Sequence, residues 1–154
     1  MEGADKRYII PVYQRKYDWK LENCRQLYDD LKKIVQDKRD SHFFGSLVSS
    51  VVPNGSKIEY HIIDGQQRLT TITLLLLAIR NLIAQKKISS SEGRLDEQIN
   101  QRFLVSPWAK EDDQIKLRPV KSDREALAKL FGEEEDYDPT SNLTLNYRFF
   151  WRHP

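Results

Sequence analysis

The sequence predicts an α+β fold, a small mixed or antiparallel sheet packed against a buried helix. Two observations carry this. "HFFGSLVSSVV" and "KIEYHIID" are rich in β-branched and aromatic residues and flank "PNGS", a hairpin signal because Asn54 and Gly55 both accept positive φ. Residues 66–85 then bear apolar side chains on most sides, as a buried helix does. With 154 residues the chain reads as a single domain able to bury a sizeable core.

Taken in order, "RYII" is a short extended run stopped by Pro11, which disfavours helix for the residue before it. Leu21, Cys24, Leu27, Leu31 and Ile34 recur at helical spacing, so residues 20–36 form an amphipathic helix that Asp18 can cap. Glu22, Arg25, Asp29, Lys32 and Lys33 share its other face and meet water; Lys32/Lys33 and Lys38/Arg39 could also touch DNA, but a solvated charged face accounts for them. Strands over 43–52 and 57–63 follow, then the buried helix, where Thr70 and Thr71 lower the intrinsic propensity and burial overrides it. "LDEQINQRFL" is a weaker helix and "QIKLRP" a short extended run. "SDREALAKLFG" is a helix with Ser122 and Glu125 as its capping box and Gly132 at C′. After the acidic loop "EEEDYDPTS", the closing "LNYRFFWRHP" starts a helical pattern with nothing after it to pack against. The chain is therefore expected to be a fragment, truncated at its carboxyl end.

Net charge is +2. Residues 1–90 hold 15 Lys/Arg against 10 Asp/Glu, and residues 91–154 hold 10 against 13. The excess places an anionic ligand in the amino-terminal part, although no dense basic stripe marks a dedicated DNA-binding face. Cys24 is the sole cysteine, which excludes a disulfide framework and a thiolate metal cluster. The longest uncharged apolar stretch lies between Arg68 and Arg80, short of the about 20 residues a membrane span needs. "MEGADKRYII" is no signal peptide. The expectation is a soluble, cytoplasmic protein.

The candidate site is "IIDGQQRL". A strand ending in Asp64-Gly65 and opening onto a helix leaves backbone N–H groups without partners. Those groups and the helix dipole attract anions. Gly65 permits close approach, and Arg68 adds a forked positive charge suited to phosphate. Asp64 can cap the helix, hold Mg²⁺ or steer a water, and Gln66 and Gln67 offer donors and acceptors without charge. On the residues alone, an ordinary capped helix competes with a phosphate site. In "PVYQRKYDW", Tyr13, Tyr17 and Trp19 surround Gln14, Arg15 and Lys16, a set that can stack a base and grip a phosphate. The competing reading has Trp19 and one tyrosine plugging the core. His42 and Gly45 in "HFFGS" form a third candidate. His42, His61 and His153 are scattered, without metal-ligand spacing.

In this order and spacing, "IPVYQRKYDW", "HFFGSLV" and "IIDGQQRLTTITLLLLAI" resemble the amino-terminal domain family of GmrSD-type restriction systems, a family defined by its DGQQR box and distantly similar to ParB and sulfiredoxin. The core motifs fall within residues 8–87, and the likeness continues more loosely to "NYRFFW". The resemblance implies a ParB/sulfiredoxin-like core in which Asp64, Gly65, Gln66, Gln67 and Arg68 bind and hydrolyse a nucleoside triphosphate (GTP, UTP, CTP or ATP) with Mg²⁺ on Asp64. It assigns Asp64, Gln66, Gln67 and Arg68 to catalysis. Gly65, Arg68, Tyr13, Gln14, Arg15, His42 and Gly45 fall to nucleotide or DNA binding, and Pro11, Tyr17, Trp19 and Phe44 complete the motifs. Such domains serve as sensors in phage-defence proteins that recognise modified DNA, usually beside a His-Asn-His nuclease domain, which is absent here. The alternative is a non-catalytic ParB-like DNA-binding module; a scaffold with a well-capped helix is a third. Sulfiredoxin chemistry needs a cysteine in the turn where this chain has glutamines, so a cysteine-based reductase is not expected.

Overall fold

The computed structural model describes residues 6–11, 14–37, 47–55, 57–91, 93–106, 109 and 114–153. Four strands form one mixed sheet: β1 (Lys6–Ile9), β2 (Val48–Asn54), β3 (Lys57–Asp64) and β4 (Leu117–Arg118), in the order β2-β3-β1-β4. β2 and β3 are the expected hairpin. Its ladder runs on to pair Asn54 with Lys57, and the positive φ falls on Gly55 (64°), so Asn54 belongs to the strand rather than to the turn. β1 inserts between β3 and β4 and runs parallel to both. Strand alternation sorts the side chains. Tyr8, Ile10, Ile62 and Leu117 are buried, with Tyr8 stacked on its cross-strand neighbour Tyr60 at 5.4 Å. From the opposite face Arg7 meets its own neighbour Glu59 at 3.8 Å.

Helix α2 (Gln66–Ala84) is the centre of the core, with Leu69, Leu74, Leu77, Ala78 and Leu82 buried. Its threonines are buried too, and each satisfies its hydroxyl within the helix: Thr70, Thr71 and Thr73 donate to the carbonyls of Gln66, Gln67 and Leu69 at 2.8, 2.8 and 3.0 Å. That local bonding is how burial overrides their low helix propensity. By length and composition alone α2 could cross a membrane; here it packs against the other helices of the fold.

The closing segment does have a partner. Helix α5 (Asn142–Arg152), capped by Ser141, whose Oγ accepts from the Leu143 N–H at 3.1 Å, buries Leu143, Tyr147, Phe149 and Phe150 against α2 and α1 (Leu21–Gln36). Tyr28 of α1 meets Phe149 edge-on at 6.1 Å. The weaker helix is α3 (Leu95–Ile99) continuing into a π turn over Asn100–Leu104. Its last carbonyls are answered by Lys116, a fully buried side chain that donates to the carbonyls of Gln101 and Arg102 at 3.1 and 2.7 Å.

Two expected caps are not formed. Helix α1 starts after Lys20, whose N–H donates to Asn23 Oδ1 at 2.9 Å, two residues beyond Asp18, whose carboxylate faces Arg15 instead. Helix α4 (Lys121–Leu130) starts after Val120, two residues earlier than a Ser122 cap requires, so Ser122 lies inside the first turn and exposed. Gly132 does follow the C-cap Phe131, and its N–H donates to the Lys129 carbonyl at 3.0 Å. The acidic loop contains a short 3₁₀ turn, Glu134–Asp136.

Because Phe150 is 1% exposed at the α5–α2 junction, Phe150→Ala should cost about 3–5 kcal/mol in chemical denaturation. A loss within about 0.5 kcal/mol, the range of surface substitutions, would show that α5 lies outside the core.

Candidate functional site

β1, β3 and β4 run in parallel and release the chain at one end of the sheet, beyond their carboxyl ends, the place where open α/β sheets bind ligands. β1 leads into the 10–20 segment, β3 into α2, and β4 into α4. The box spans the β3–α2 junction. Gly65 is buried and is the N-cap of α2 with φ 89° and ψ 14°, a left-handed conformation natural only to glycine. It offers no side-chain cap, and the first turn holds no acid. The amides of Gln66, Gln67 and Arg68 therefore lack intrahelical acceptors and keep the full positive end of the dipole. Asp64 does not cap the helix. It is the exposed last residue of β3, and its Oδ1 accepts from the Gly65 N–H at 2.9 Å. Arg68 is half-buried one turn on.

The two glutamines bind this junction to the first motif. Gln66 Nε2 donates to Gln14 Oε1 at 3.0 Å, and Gln14 Nε2 in turn reaches the Ile63 carbonyl at 3.4 Å. Gln67 is buried and uses both ends of its amide on backbone: Oε1 accepts from the Asp18 N–H at 3.0 Å and Nε2 donates to the Lys16 carbonyl at 3.2 Å. Its side chain so pairs with residues 16–18 as a neighbouring strand would.

Other elements complete the hold. The Tyr17 N–H donates to Asp123 Oδ2 of α4 at 2.7 Å. The Tyr17 hydroxyl lies 2.7 Å from Thr71 Oγ1, whose own proton goes to the Gln67 carbonyl, so Tyr17 donates to Thr71. Asn146 of α5 supplies both hydrogens of Nδ2, one to the Tyr17 hydroxyl at 2.7 Å and one to the Trp19 carbonyl at 2.8 Å. Every proton direction in this buried chain is therefore determined.

Burial holds the Tyr17 hydroxyl well above the usual tyrosine range. It also pushes the Cys24 thiol up to about 11, so Cys24, 3.7 Å from the Tyr17 hydroxyl, is a thiol at neutral pH and not a nucleophilic thiolate. Burial raises Asp123 above the ordinary aspartate value too, against the opposing pull of the Tyr17 N–H and Lys16.

The structure thus brings together Asp64, Gly65, Gln66, Gln67, Arg68 and Gln14. Arg15 is exposed and sits 3.5 Å from half-buried Asp18, a pair worth little where water reaches it. Tyr17 plugs the core and Trp19 packs partly buried against it. Tyr13, His42, Phe44 and Gly45 lie outside the described residues. Among the described residues no group of three or more His, Cys, Asp or Glu could hold a metal. Thr71, Asp123 and Asn146 escaped the sequence reading. Thr71 was visible as the residue one turn beyond Gln67, whereas Asp123 and Asn146 lie 106 and 129 positions from Tyr17.

A family model described as GmrSD restriction endonuclease, N-terminal domain, matches residues 1–152. No curated protein matches the chain.

The Asp123 environment has a pH signature. A raised folded-state pKa means that the folded chain holds this proton more tightly than the unfolded one. Relative to Asp123→Asn, the wild type should gain stability as pH falls from about 7 through the folded pKa, the gain being complete below the ordinary aspartate value of 3.8. Denaturation of both proteins across that window checks this; a difference that does not change with pH would contradict it.

Proposed function

We propose, for a chain that belongs to the family of GmrSD restriction endonuclease N-terminal domains, that the β3–α2 junction binds a nucleoside triphosphate and hydrolyses it. The domain would then be the regulatory or sensor part of a modification-dependent restriction protein active in phage defence. DNA cleavage would fall to a nuclease domain outside these residues.

The observation that carries the reading is the uncapped, left-handed Gly65 start of α2 at the carboxyl ends of the parallel strands, with Asp64 before it and Arg68 after it. First-turn amides and a guanidinium suit phosphate oxygens. Arg68 would stabilise charge that develops on the transferred phosphoryl group, where positioning and electrostatics supply most of the catalysis. Mg²⁺ usually takes one or two carboxylates and draws its other oxygens from water and substrate phosphates. Asp64 fits that sparse role, being exposed with Oδ2 outside the hydrogen bond to Gly65. The metal would offset phosphate charge. Gln66 and Gln14 would form the adjoining wall, and Gln67, with its amide committed to residues 16–18, would position and not react. The same amides could instead grip a backbone phosphate in a non-catalytic DNA-binding module.

Phosphate release from GTP, UTP, CTP and ATP with Mg²⁺ tests the reading. Turnover should vanish in Asp64→Ala and fall about 10²-fold or more in Arg68→Gln. Turnover that survives Asp64→Ala would remove hydrolysis from the box. No turnover in either, with DNA binding that weakens steeply with salt, would favour the binding module.

A further inference from the structure

The β2–β3 hairpin carries most of the apolar surface that the fold leaves uncovered. Of the nine large hydrophobic side chains exposed among the described residues, six lie on it or at its entry: Leu47, Val48, Val51, Val52, Ile58 and Ile63. Single exposed apolar residues are ordinary, but a cluster of them marks a contact surface. β2 is also the outer strand of the sheet, with no strand against its far edge among the described residues, and residues 47–53 are exposed throughout. Its outward N–H and C=O groups form a template for a further strand. The opposite edge is blunted by length, since β4 has only two residues. β2 has seven residues and none is charged, so it lacks the charged side chains that usually guard such an edge.

The register shows what a neighbouring strand must supply. Leu117, Tyr8, Tyr60 and Val51 are successive cross-strand partners and form one row on the core face of the sheet. Exposure rises along that row from 2% at Leu117 and 6% at Tyr8, through half-buried Tyr60, to 58% at Val51. The row ends on an apolar side chain in water. A strand that continues it needs an apolar residue opposite Val51 and no charge along its edge, and β2 of a second copy offers both. A two-fold antiparallel pairing keeps both core faces on the same side of the joined sheet. Val51 then lies opposite its own copy, and an uncharged strand meets itself without like-charge repulsion.

We propose that the chain forms a two-fold dimer by antiparallel pairing of β2 with β2 of a second copy, with Val51 at the axis. The pairing joins the two four-stranded sheets into one and carries the core row across the interface. It uses no residue of the box and stands whether or not the β3–α2 junction hydrolyses a nucleotide.

Sedimentation equilibrium of the chain across the micromolar range reads the association. The wild type should populate a dimer as concentration rises. Val51→Lys and Val51→Glu each set like charges face to face at the axis and should weaken the dimer about tenfold or more. Mixed in equal amounts, the two variants place a lysine opposite a glutamate and should recover association, which mere damage to the hairpin would not allow. Variants that associate as the wild type does, or a mixture no better than its components, would overturn the proposal. A wild type that stays monomeric would overturn it too and leave the edge to a strand from another protein. If either variant fails to fold, amide exchange of the wild type decides: residues 49–52 should exchange more slowly as concentration rises, and unchanged exchange would overturn the dimer.

Discussion

The region around the box depends on one buried side-chain amide, that of Gln67. An irregular segment that leaves a strand end must satisfy its backbone groups before it can pack against a core. Residues 16–18 do so by pairing with Gln67 as though with a strand. A carboxylate at position 67 could not donate to the Lys16 carbonyl, and a lysine could not accept from Asp18; the amide does both from its two ends. With the backbone so fixed, the Tyr17 ring enters the core and its hydroxyl meets Thr71 and Asn146. That contact ties the start of α2 to α5, and the Tyr17–Asp123 bond ties it to α4. Removing one partner from such a network leaves buried groups unsatisfied, at about 1–3 kcal/mol each.

This arrangement divides the motif residues by task. Gln67, Tyr17 and the carbonyl of Trp19 face inward and are spent on structure. Asp64 faces solvent, and the first-turn amides of α2 have no acid of their own to neutralise them. Chemistry at the junction would therefore act from a base whose parts have few alternative arrangements, which is what preorganised electrostatics requires. Gly65 links the halves, because its left-handed turn lets β3 hand over to α2 without a side-chain cap intervening.

The fold class was legible because its signals are local. Runs rich in β-branched and aromatic residues, a Gly-containing turn and a helix apolar on most sides are each complete within about 20 residues, and all reappear as β2, β3 and α2. What local reading missed came from competition at a distance. Asp18 and Ser122 have the chemistry of caps, yet α1 begins two residues later than an Asp18 cap requires and α4 two residues earlier than a Ser122 cap allows. The closing aromatic segment looked unpartnered only because its partner, α2, lies some sixty residues earlier. Within the site, the box and the first motif were legible as sets of residue types, but their joining by Gln66–Gln14 and Gln67–Lys16 was not, because spacing carries no information on contacts across fifty positions. Asp123 and Asn146 had no local signal at all.

Amide hydrogen exchange, followed residue by residue in the wild type and in Gln67→Ala, tests the clamp most directly. If Gln67 holds the segment, the Asp18 amide loses its protection, the Tyr17 amide loosens with it, and core amides of α2 such as Leu74 stay protected. Unchanged exchange at Asp18 and Tyr17 would contradict the account, since the segment would then be held without the amide.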